Sequence, residues 1–263
     1  MMQEETINSL SGYIELVTNI SEEGFNFYRG QDSHIKHKLL PSLLRIEPET
    51  KNRVYSDNCD QNFINAFKSR CLPHLNYLPK NEWEWMSTAQ HYGLPTRLLD
   101  WSQSPLSALF FATENCNFNY YEGDSSVVWC LNPTILNEKS RFIEDYTTIP
   151  NLSEENENFL SNLKQKFGLG ANPAGQVYPI ALIHPSSNKR IHAQKGVFTL
   201  FPINSSPLDE LEKAEEFLVK IIIPSEVKLE IKKQLFNTGI TYSNIYPDLD
   251  SLCKDIKFEY NYK

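Results

Sequence analysis

The chain has 263 residues, of which 40% are hydrophobic and 22% charged, and its formal net charge is −8. This composition is ordinary for a globular protein and excludes a disordered chain. An acidic protein repels phosphate backbones, so we expect no non-specific DNA binding, although a local basic pocket stays compatible with this charge. The five cysteines are scattered without a C-x-x-C pair, which disfavours a disulfide framework and a zinc ribbon.

The chain starts with a polar, acidic stretch over residues 1–6, which has neither the basic nor the apolar region of a secretion signal. No apolar run approaches the ~20 residues that a membrane helix needs. We therefore expect a cytoplasmic protein without a membrane partner. Because the sequence shows no internal repeat and no clear linker, we expect one domain over residues 1–263.

The first part of the chain predicts helices around one short strand. Apolar residues recur at helical spacing over residues 7–17, and rings alternate with polar residues over 25–29, which predicts a helix and then a strand. Two further helices are predicted over 61–72 and 82–90. Gly93 follows the last of these at the position where a glycine commonly ends a helix.

The middle of the chain contains its most apolar stretch. Pro95 favours extended backbone up to residue 101, and Ser104 with Pro105 begins a new helix. Residues 106–112 of this helix are apolar almost all round, so we expect them to be deeply buried. A strand is predicted over 126–131.

The last part of the chain predicts more strands and two terminal helices. Residues 137–175 are polar and rich in Asn, Glu, Gly and Pro, which favours a flexible insertion or lid. The apolar pattern predicts strands over 177–183, 196–201 and 217–223. A helix over 227–235 follows, which Gly239 ends, and a final helix begins after Pro247, with the inward-facing residues Leu249, Leu252 and Ile256. Together these elements predict an α+β fold with a mixed or antiparallel sheet packed by several helices.

Three polar segments interrupt this pattern and are the candidates for chemistry. The block from Gln90 to Trp101 concentrates a histidine, an arginine and an aspartate beside a helix end. The second segment is Tyr28-Arg29-Gly30-Gln31, in which an arginine suited to phosphate or carboxylate precedes a glycine that lets a ligand approach the backbone. The third runs from Arg190 to Phe198 and leads into a strand.

These segments resemble the FRG-domain family, which is named for a Phe-Arg-Gly motif. Tyr28 replaces the phenylalanine, and the Gln-His-x-Gly-Leu-Pro-Thr-Arg-Leu-Leu-Asp-Trp block at residues 90–101 follows the family pattern throughout. Ala193 to Phe198 and Tyr246-Pro-Asp-Leu249 extend the resemblance over nearly the whole chain.

A weaker resemblance concerns the ADP-ribosyltransferases similar to bacterial toxins. It implies that Arg29, with Gly30 and Gln31, binds the pyrophosphate of NAD, and that Asp100, Trp101 and Ser102 line the nicotinamide pocket. It also places Gln194 where the transferases have a catalytic glutamate, and it implies an ADP-ribosyltransferase-like split sheet. A neutral Gln194 cannot act as a base, so His91 or Asp100 would have to supply the missing charge. Thr96 and Arg97 complete the predicted binding residues.

Each of these residues also has a structural interpretation. Arg97 and Asp100 could form a buried pair that supports the apolar helix, and breaking such a pair costs ~3–5 kcal/mol. His91 could be a satisfied structural histidine, and Gln194 a backbone-bridging amide.

The leading hypothesis is an enzyme that uses NAD as its substrate, cleaves the nicotinamide bond and passes ADP-ribose to water or to a macromolecular acceptor. A toxin or anti-phage effector is the role that analogy suggests. The alternative is a non-catalytic module that recognises a nucleotide or a nucleic-acid end with its arginines and with a stacking ring such as Tyr92 or Trp101. We expect no metal site, because Asp, Glu and His do not cluster in any one motif.

Overall fold

The structure is a computed structural model that describes residues 2–35, 38–56, 59–75, 77–116, 124–140, 148–152, 157–169, 178–183 and 189–261. Within these residues the strands are β1 (Gln3–Thr6), β2 (Phe27–Gln31), β3 (Leu98–Ser102), β4 (Ser126–Leu131), β5 (Ile180–Leu182), β6 (Gly196–Leu200) and β7 (Leu218–Ile223). The α-helices are α1 (Leu10–Glu22), α2 (Cys59–Cys71), α3 (Glu82–His91), α4 (Pro105–Thr113), α5 (Pro133–Ser140), α6 (Glu157–Phe167), α7 (Lys189–Ala193), α8 (Lys228–Asn237), α9 (Tyr242–Ile245) and α10 (Leu249–Asn261).

The seven strands of the described residues form one sheet in the order β1-β7-β4-β2-β3-β6-β5. All neighbouring pairs are antiparallel except β1 and β7, which run parallel. The predicted α+β fold with a mixed sheet is therefore confirmed. The predicted strand over 126–131 coincides with β4, and the other predicted strands agree with the structure to within a few residues.

The sheet is weakest at the junction between β2 and β3. These strands share a single registered pair, Tyr28 with Ser102, whereas β2 pairs with β4 over five residues. Beyond Tyr28 the two strands diverge, so their backbone groups no longer satisfy each other. The sheet thus consists of two halves joined at one registered pair, and the gap between them opens beside Arg29.

Both faces of the sheet are covered, which explains why its strands are apolar on both sides. Along β4, Val127, Trp129 and Leu131 pack into one buried cluster, and Val128 and Cys130 pack into another on the opposite face. This is the period-two alternation of a strand with two buried faces. A third cluster lies under α3, α6 and the β6 side of the sheet.

The helix ends near the central motif have the caps that the sequence predicts. Gly93 follows α3 at φ +88°, the backbone N–H of Gly93 donates to Gln90 O, and that of Leu94 donates to Ala89 O. This is the Schellman arrangement, in which a left-handed glycine closes the last turn. At the start of α4, the side chain of Ser104 accepts from the Ser107 N–H. The helix itself is buried, as predicted.

The described parts of residues 137–175 pack into the core. Helix α6 contributes Leu163 and Phe167, both fully buried in the third cluster, and Leu152 joins them there. An amphipathic helix buries its apolar face against the nearest core, so these described residues stabilise the fold, and the lid over 137–175 stays a prediction. The rest of the range lies outside the described residues.

The last helix presents a different face from the one predicted. Leu249, Leu252 and Ile256 are exposed, with Leu249 78% exposed, whereas Ser251, Asp255 and Phe258 point inward. The hydrogen bonds of Asp255 explain why this face of α10 points inward. Both carboxylate oxygens of Asp255 accept from backbone N–H groups at the start of α9, those of Tyr242 and Ser243. This cap determines which face of α10 is buried.

Candidate functional site

A cavity of about 390 Å³ opens at the gap between β2 and β3. Its walls come from the two strand ends, the C-terminal ends of α3 and α4, and α7. It falls within the size range of small-molecule sites. The predicted site residues that line it are Arg29, Gly30, Gln31, His91, Asp100, Trp101, Ser102 and Gln194. Thr96 and Arg97 do not line it.

Arg29 spans the gap between the two halves of the sheet. Its Nη1 donates to the backbone carbonyl of Asp100 at 2.7 Å, where the diverging strands no longer hydrogen-bond. Its Nε is buried and has no hydrogen-bond partner among the described residues. Burial lowers the pKa of Arg29, the charge of Asp100 raises it, and that of Arg45 lowers it further. Arginine nevertheless stays protonated because its ordinary pKa is so high, so Arg29 brings a fixed positive charge to the cavity.

Gly30 lines the cavity and also allows close packing between β2 and α4. A Cβ at this position would lie 1.8 Å from Ala108 O and 2.6 Å from Ala112 N, both on the backbone of α4. The predicted NAD contact at Gly30 stays a prediction. Only glycine lets the buried helix α4 lie directly against β2.

Three other predicted contacts form the walls of the cavity. Gln31 accepts from Trp129 Nε1 at 2.8 Å, and Trp101 Nε1 donates to Thr199 Oγ1 at 3.0 Å. The Ser102 hydroxyl donates to Gln194 O at 2.6 Å. These side chains are buried and hydrogen-bonded within the protein. They fix the shape of the cavity, and the part of each that a ligand could reach is small.

Thr96 does not line the cavity but helps to position Asp100, which does, through hydrogen bonds with Gln90. Its hydroxyl donates to Gln90 Oε1, and the same amide donates from Nε2 to Asp100 Oδ1 at 2.7 Å. The Asp100 carboxylate is therefore held in place although its side chain is exposed. Gln90, which the sequence motif contains but which was not predicted as a site residue, supplies this connection.

His91 is half-buried beside Asp100 and Arg190. Burial and the positive charge of Arg190 lower the pKa of His91, and Asp100 opposes them. At neutral pH the imidazole is therefore predominantly neutral. It can accept a proton or a hydrogen bond, and it is a poor proton donor.

Arg97 belongs to the scaffold. It is fully buried, its Nε lies 3.0 Å from Asp60 Oδ2, and its Nη2 donates to Phe167 O and Gly168 O at 2.7 Å each. These contacts join α2, β3 and the end of α6 away from the cavity. The structure therefore does not bring Arg97 to the cavity with the other predicted NAD contacts, because its guanidinium lies in the core. Its partner is Asp60, not Asp100.

Gln194 lines the cavity, and its side-chain amide bridges two helices. Its Nε2 donates to the carbonyl of Ile245 at 3.2 Å, which ties α7 to α9. Trp101 is buried, and Tyr92 lines a separate apolar groove with Phe63 and Phe67. Neither predicted stacking ring is presented openly to the cavity.

The structure adds four charged residues to the site, Asp32, Arg45, Glu114 and Arg190. Glu114 follows α4, and its Oε2 accepts from the Tyr246 hydroxyl at 3.0 Å. Arg190 lies over the ring of Tyr246, 4.8 Å from its centroid. Two signals were available in the sequence: Arg190 begins the third polar segment, and Tyr246 begins the Tyr-Pro-Asp-Leu motif. Glu114 and Arg45 belong to no sequence motif, and only the folded structure shows that they line the cavity.

Three arginines therefore meet at one cavity of an acidic protein. The FRG domain model of protein families matches residues 25–120. An FRG domain is therefore identified over residues 25–120. The matched range includes Arg29, the whole Gln90–Trp101 block and Glu114, but it covers less of the chain than the motifs suggested. Arg190, Gln194 and Tyr246 lie beyond it. No curated protein and no solved structure matches the chain significantly, so the resemblance to ADP-ribosyltransferases has no support from these comparisons.

Two further findings apply to the described part of the chain. None of its helices combines the length and apolar character needed to cross a membrane. Its His, Cys, Asp and Glu side chains form no group of three or more that could hold a metal ion.

Proposed function

We propose that the FRG-domain chain is an enzyme that binds NAD in this cavity and cleaves the bond between nicotinamide and ribose. ADP-ribose then passes to water or to a macromolecular acceptor. The observation that carries the proposal is the convergence of Arg29, Arg45 and Arg190 with carboxylates on one cavity at the sheet gap. An enzyme that consumes NAD would suit a toxin or an anti-phage effector, a role that rests on analogy alone.

The arginines account for the binding of a pyrophosphate. A guanidinium can bind phosphate oxygens with two parallel hydrogen bonds, and its charge does not depend on pH. The net charge of the chain is −8, yet three arginines line one cavity. The cavity therefore attracts anions although the protein as a whole is acidic. Arg29 lies within the gap, whereas Arg45 and Arg190 are exposed at its rim. This arrangement suits an elongated ligand with more than one anionic oxygen.

His91 and Asp100 supply polar contacts for the sugar. The neutral imidazole accepts a hydrogen bond from a ribose hydroxyl, and the carboxylate held by Gln90 accepts another. Both groups are acceptors, as a ribose diol requires. Asp100 also places negative charge near the carbon that becomes positive when the glycosidic bond breaks.

The second candidate is a non-catalytic module that binds a nucleotide or a nucleic-acid end. One observation favours it: Gln194 is neutral and its amide is bonded to Ile245 O, so the position expected for a catalytic glutamate carries no charge. The arginines would then provide affinity without chemistry.

Thermal unfolding with and without millimolar NAD, followed by an assay of nicotinamide release, tests both candidates. NAD at ~100 times its Kd stabilises the folded state by about 2.7 kcal/mol, which a melting curve resolves. Arg190→Ala should weaken NAD binding roughly 10- to 100-fold, the loss of one charge-assisted contact. Arg70→Ala, on α2 and outside the cavity, is the matched control and should bind normally.

The outcomes separate the two candidates. A shift in melting temperature with nicotinamide release supports the enzyme. A shift without release favours the binding module. If NAD causes neither, NAD is not the ligand, and the same melts with mononucleotides and short RNA ends test the second candidate directly.

A further inference from the structure

The cavity contains a carboxylate, that of Glu114, which lies outside the three polar segments of the sequence. Hydrogen bonds from three other residues hold Glu114 in place. We propose that Glu114 is the catalytic carboxylate of the glycosidic cleavage and that Tyr246 is its positioning residue. This inference rests on the proposed function and names the group that performs its chemistry. It replaces Gln194, whose amide is bonded to the backbone carbonyl of Ile245.

Glu114 lies where a reacting sugar could reach it. It is the residue after α4, it is half-buried, and its side chain lines the cavity. One carboxylate oxygen, Oε2, accepts from Tyr246. Within the described residues, Oε1 has no hydrogen-bond donor and is therefore available to a ligand or to water.

Two donors from different elements fix the backbone of Glu114. Lys232 Nζ, on α8, donates to its carbonyl oxygen at 2.8 Å, and the Tyr242 hydroxyl, on α9, donates to the same atom at 3.0 Å. Lys232 also donates to Cys116 O at 3.0 Å, and it is buried. Burial lowers the pKa of Lys232, with the nearby Cys116 and Glu114 opposing that shift. A buried lysine is costly, and here it serves to hold the turn that carries Glu114.

The position of Glu114 is unfavourable for stability alone. The C-terminal end of a helix carries partial negative charge, which repels a carboxylate. A side chain that opposes local electrostatics and still receives dedicated partners is typical of a functional site. Asp100, in contrast, already accepts a hydrogen bond from Gln90 and lies close to the positive charge of Arg29.

Tyr246 fits the positioning role because it stays a donor. Burial, and then the charge of Glu114, raise the pKa of Tyr246, so its hydroxyl keeps its proton across the physiological range. The guanidinium of Arg190 lies over its ring. Tyr246 therefore contacts both Arg190, the proposed phosphate-binding arginine, and Glu114, the proposed catalytic carboxylate. It fixes the position of Glu114 relative to the arginine that binds the dinucleotide.

The chemistry of this step balances. The bond between C1′ of the ribose and N1 of the nicotinamidium breaks, and its electron pair goes to the ring nitrogen, which releases neutral nicotinamide. The carboxylate of Glu114 stabilises the positive charge that develops on the ribose. Water attacks C1′, its oxygen forms the new bond, and Glu114 takes its proton and returns it to solvent.

The experiment compares Glu114→Gln, Tyr246→Phe and Glu259→Gln with the wild-type chain. Glu114→Gln preserves shape, so NAD should still raise the melting temperature while nicotinamide release falls by roughly 10²–10⁴, the contribution of a positioned acid–base group. Glu114→Asp, which keeps the charge, should recover part of the rate. Glu259→Gln, exposed on α10, should behave as wild type.

Tyr246→Phe needs a measurement that a purely structural role would not change. We expect kcat to fall about tenfold, the loss of one hydrogen bond to a charged group, while KM for NAD stays within about threefold. A rise in KM with unchanged kcat would overturn the positioning role.

If wild type releases nicotinamide and Glu114→Gln releases it equally fast, Glu114 is not catalytic although the proposed function stands. If wild type neither binds nor cleaves NAD, both proposals fail together.

Discussion

Burial divides the arginines of the site region into two kinds. Arg45 and Arg190 are exposed at the cavity, where their charge is available to a ligand, whereas Arg97 is fully buried. The carboxylate of Asp60 offsets the charge of the Arg97 guanidinium, and the carbonyls of Phe167 and Gly168 accept hydrogen bonds from its Nη2. Arg29 lies between these cases, since it stabilises the sheet gap and also lines the cavity.

This division predicts the effect of removing Arg97. Arg97→Met should destabilise the fold by ~3–5 kcal/mol, because it leaves the carboxylate of Asp60 buried without a counter-charge. Urea unfolding measures this free energy. Arg70→Met, on the exposed side of α2, is the control and should change it by less than ~0.5 kcal/mol. A small loss in Arg97→Met together with loss of NAD binding would place Arg97 back among the ligand contacts.

The candidate site was predictable where the signal is local and not where it is long-range. Arg29, His91 and Asp100 stand out because polar residues there interrupt apolar segments, and they do line the cavity. The true environment of Arg97 depends on Asp60 and on carbonyls 70 and 71 residues away along the chain. Glu114 likewise reaches the cavity through partners more than 100 residues distant. No spacing rule within one segment contains that information.

At the level of elements, β2 and α4 lie in direct backbone contact at Gly30. The backbone of α4 lies against Gly30 with no space for a side chain. The apolar residues around this contact belong to the second buried cluster, which also includes Tyr28 and Ala108. The same packing brings Glu114, at the end of α4, beside the strand that carries Arg29.

The expected consequence is that Gly30 tolerates no substitution. Gly30→Ala should cost about 3 kcal/mol or more in unfolding free energy, because the new methyl group overlaps backbone atoms that cannot rotate away. Gly12→Ala is the control. It lies in α1, where a Cβ would meet Ser9 Oγ at 3.3 Å, and alanine favours a helix by ~1 kcal/mol. If both variants unfold at the wild-type urea concentration, the contact between β2 and α4 is looser than described.

Two elements show why propensity alone misplaces parts of this fold. Strand β1 was not predicted because its four residues, Gln3–Thr6, are polar and mostly exposed. It forms through pairing with β7, more than 200 residues later. In α10 the apolar stripe suggested the wrong face, because the cap that Asp255 gives to α9 outweighs the burial of Leu249 and its neighbours.

Across the molecule, the sheet links segments from both ends of the chain and all three buried clusters. Residues 3–6 pair with the strand at 218–223, and β3 and β6 carry residues of both the first and the third cluster. Such a network has few places at which one part could unfold alone. Helix α6, which lies in the range expected to be a lid, is one of the elements that close the third cluster.

Cooperative unfolding of the whole chain tests this arrangement. We expect Trp fluorescence and far-UV circular dichroism to give one coincident urea transition, as in a two-state domain. Leu163→Ala should lower the unfolding free energy by ~2–5 kcal/mol and leave the two curves coincident, because its side chain fills the core rather than covering a cavity. Gln165→Ala, on the exposed side of α6, should change little. Separate transitions, or a negligible effect of Leu163→Ala, would instead mean that residues 157–169 move independently of the sheet.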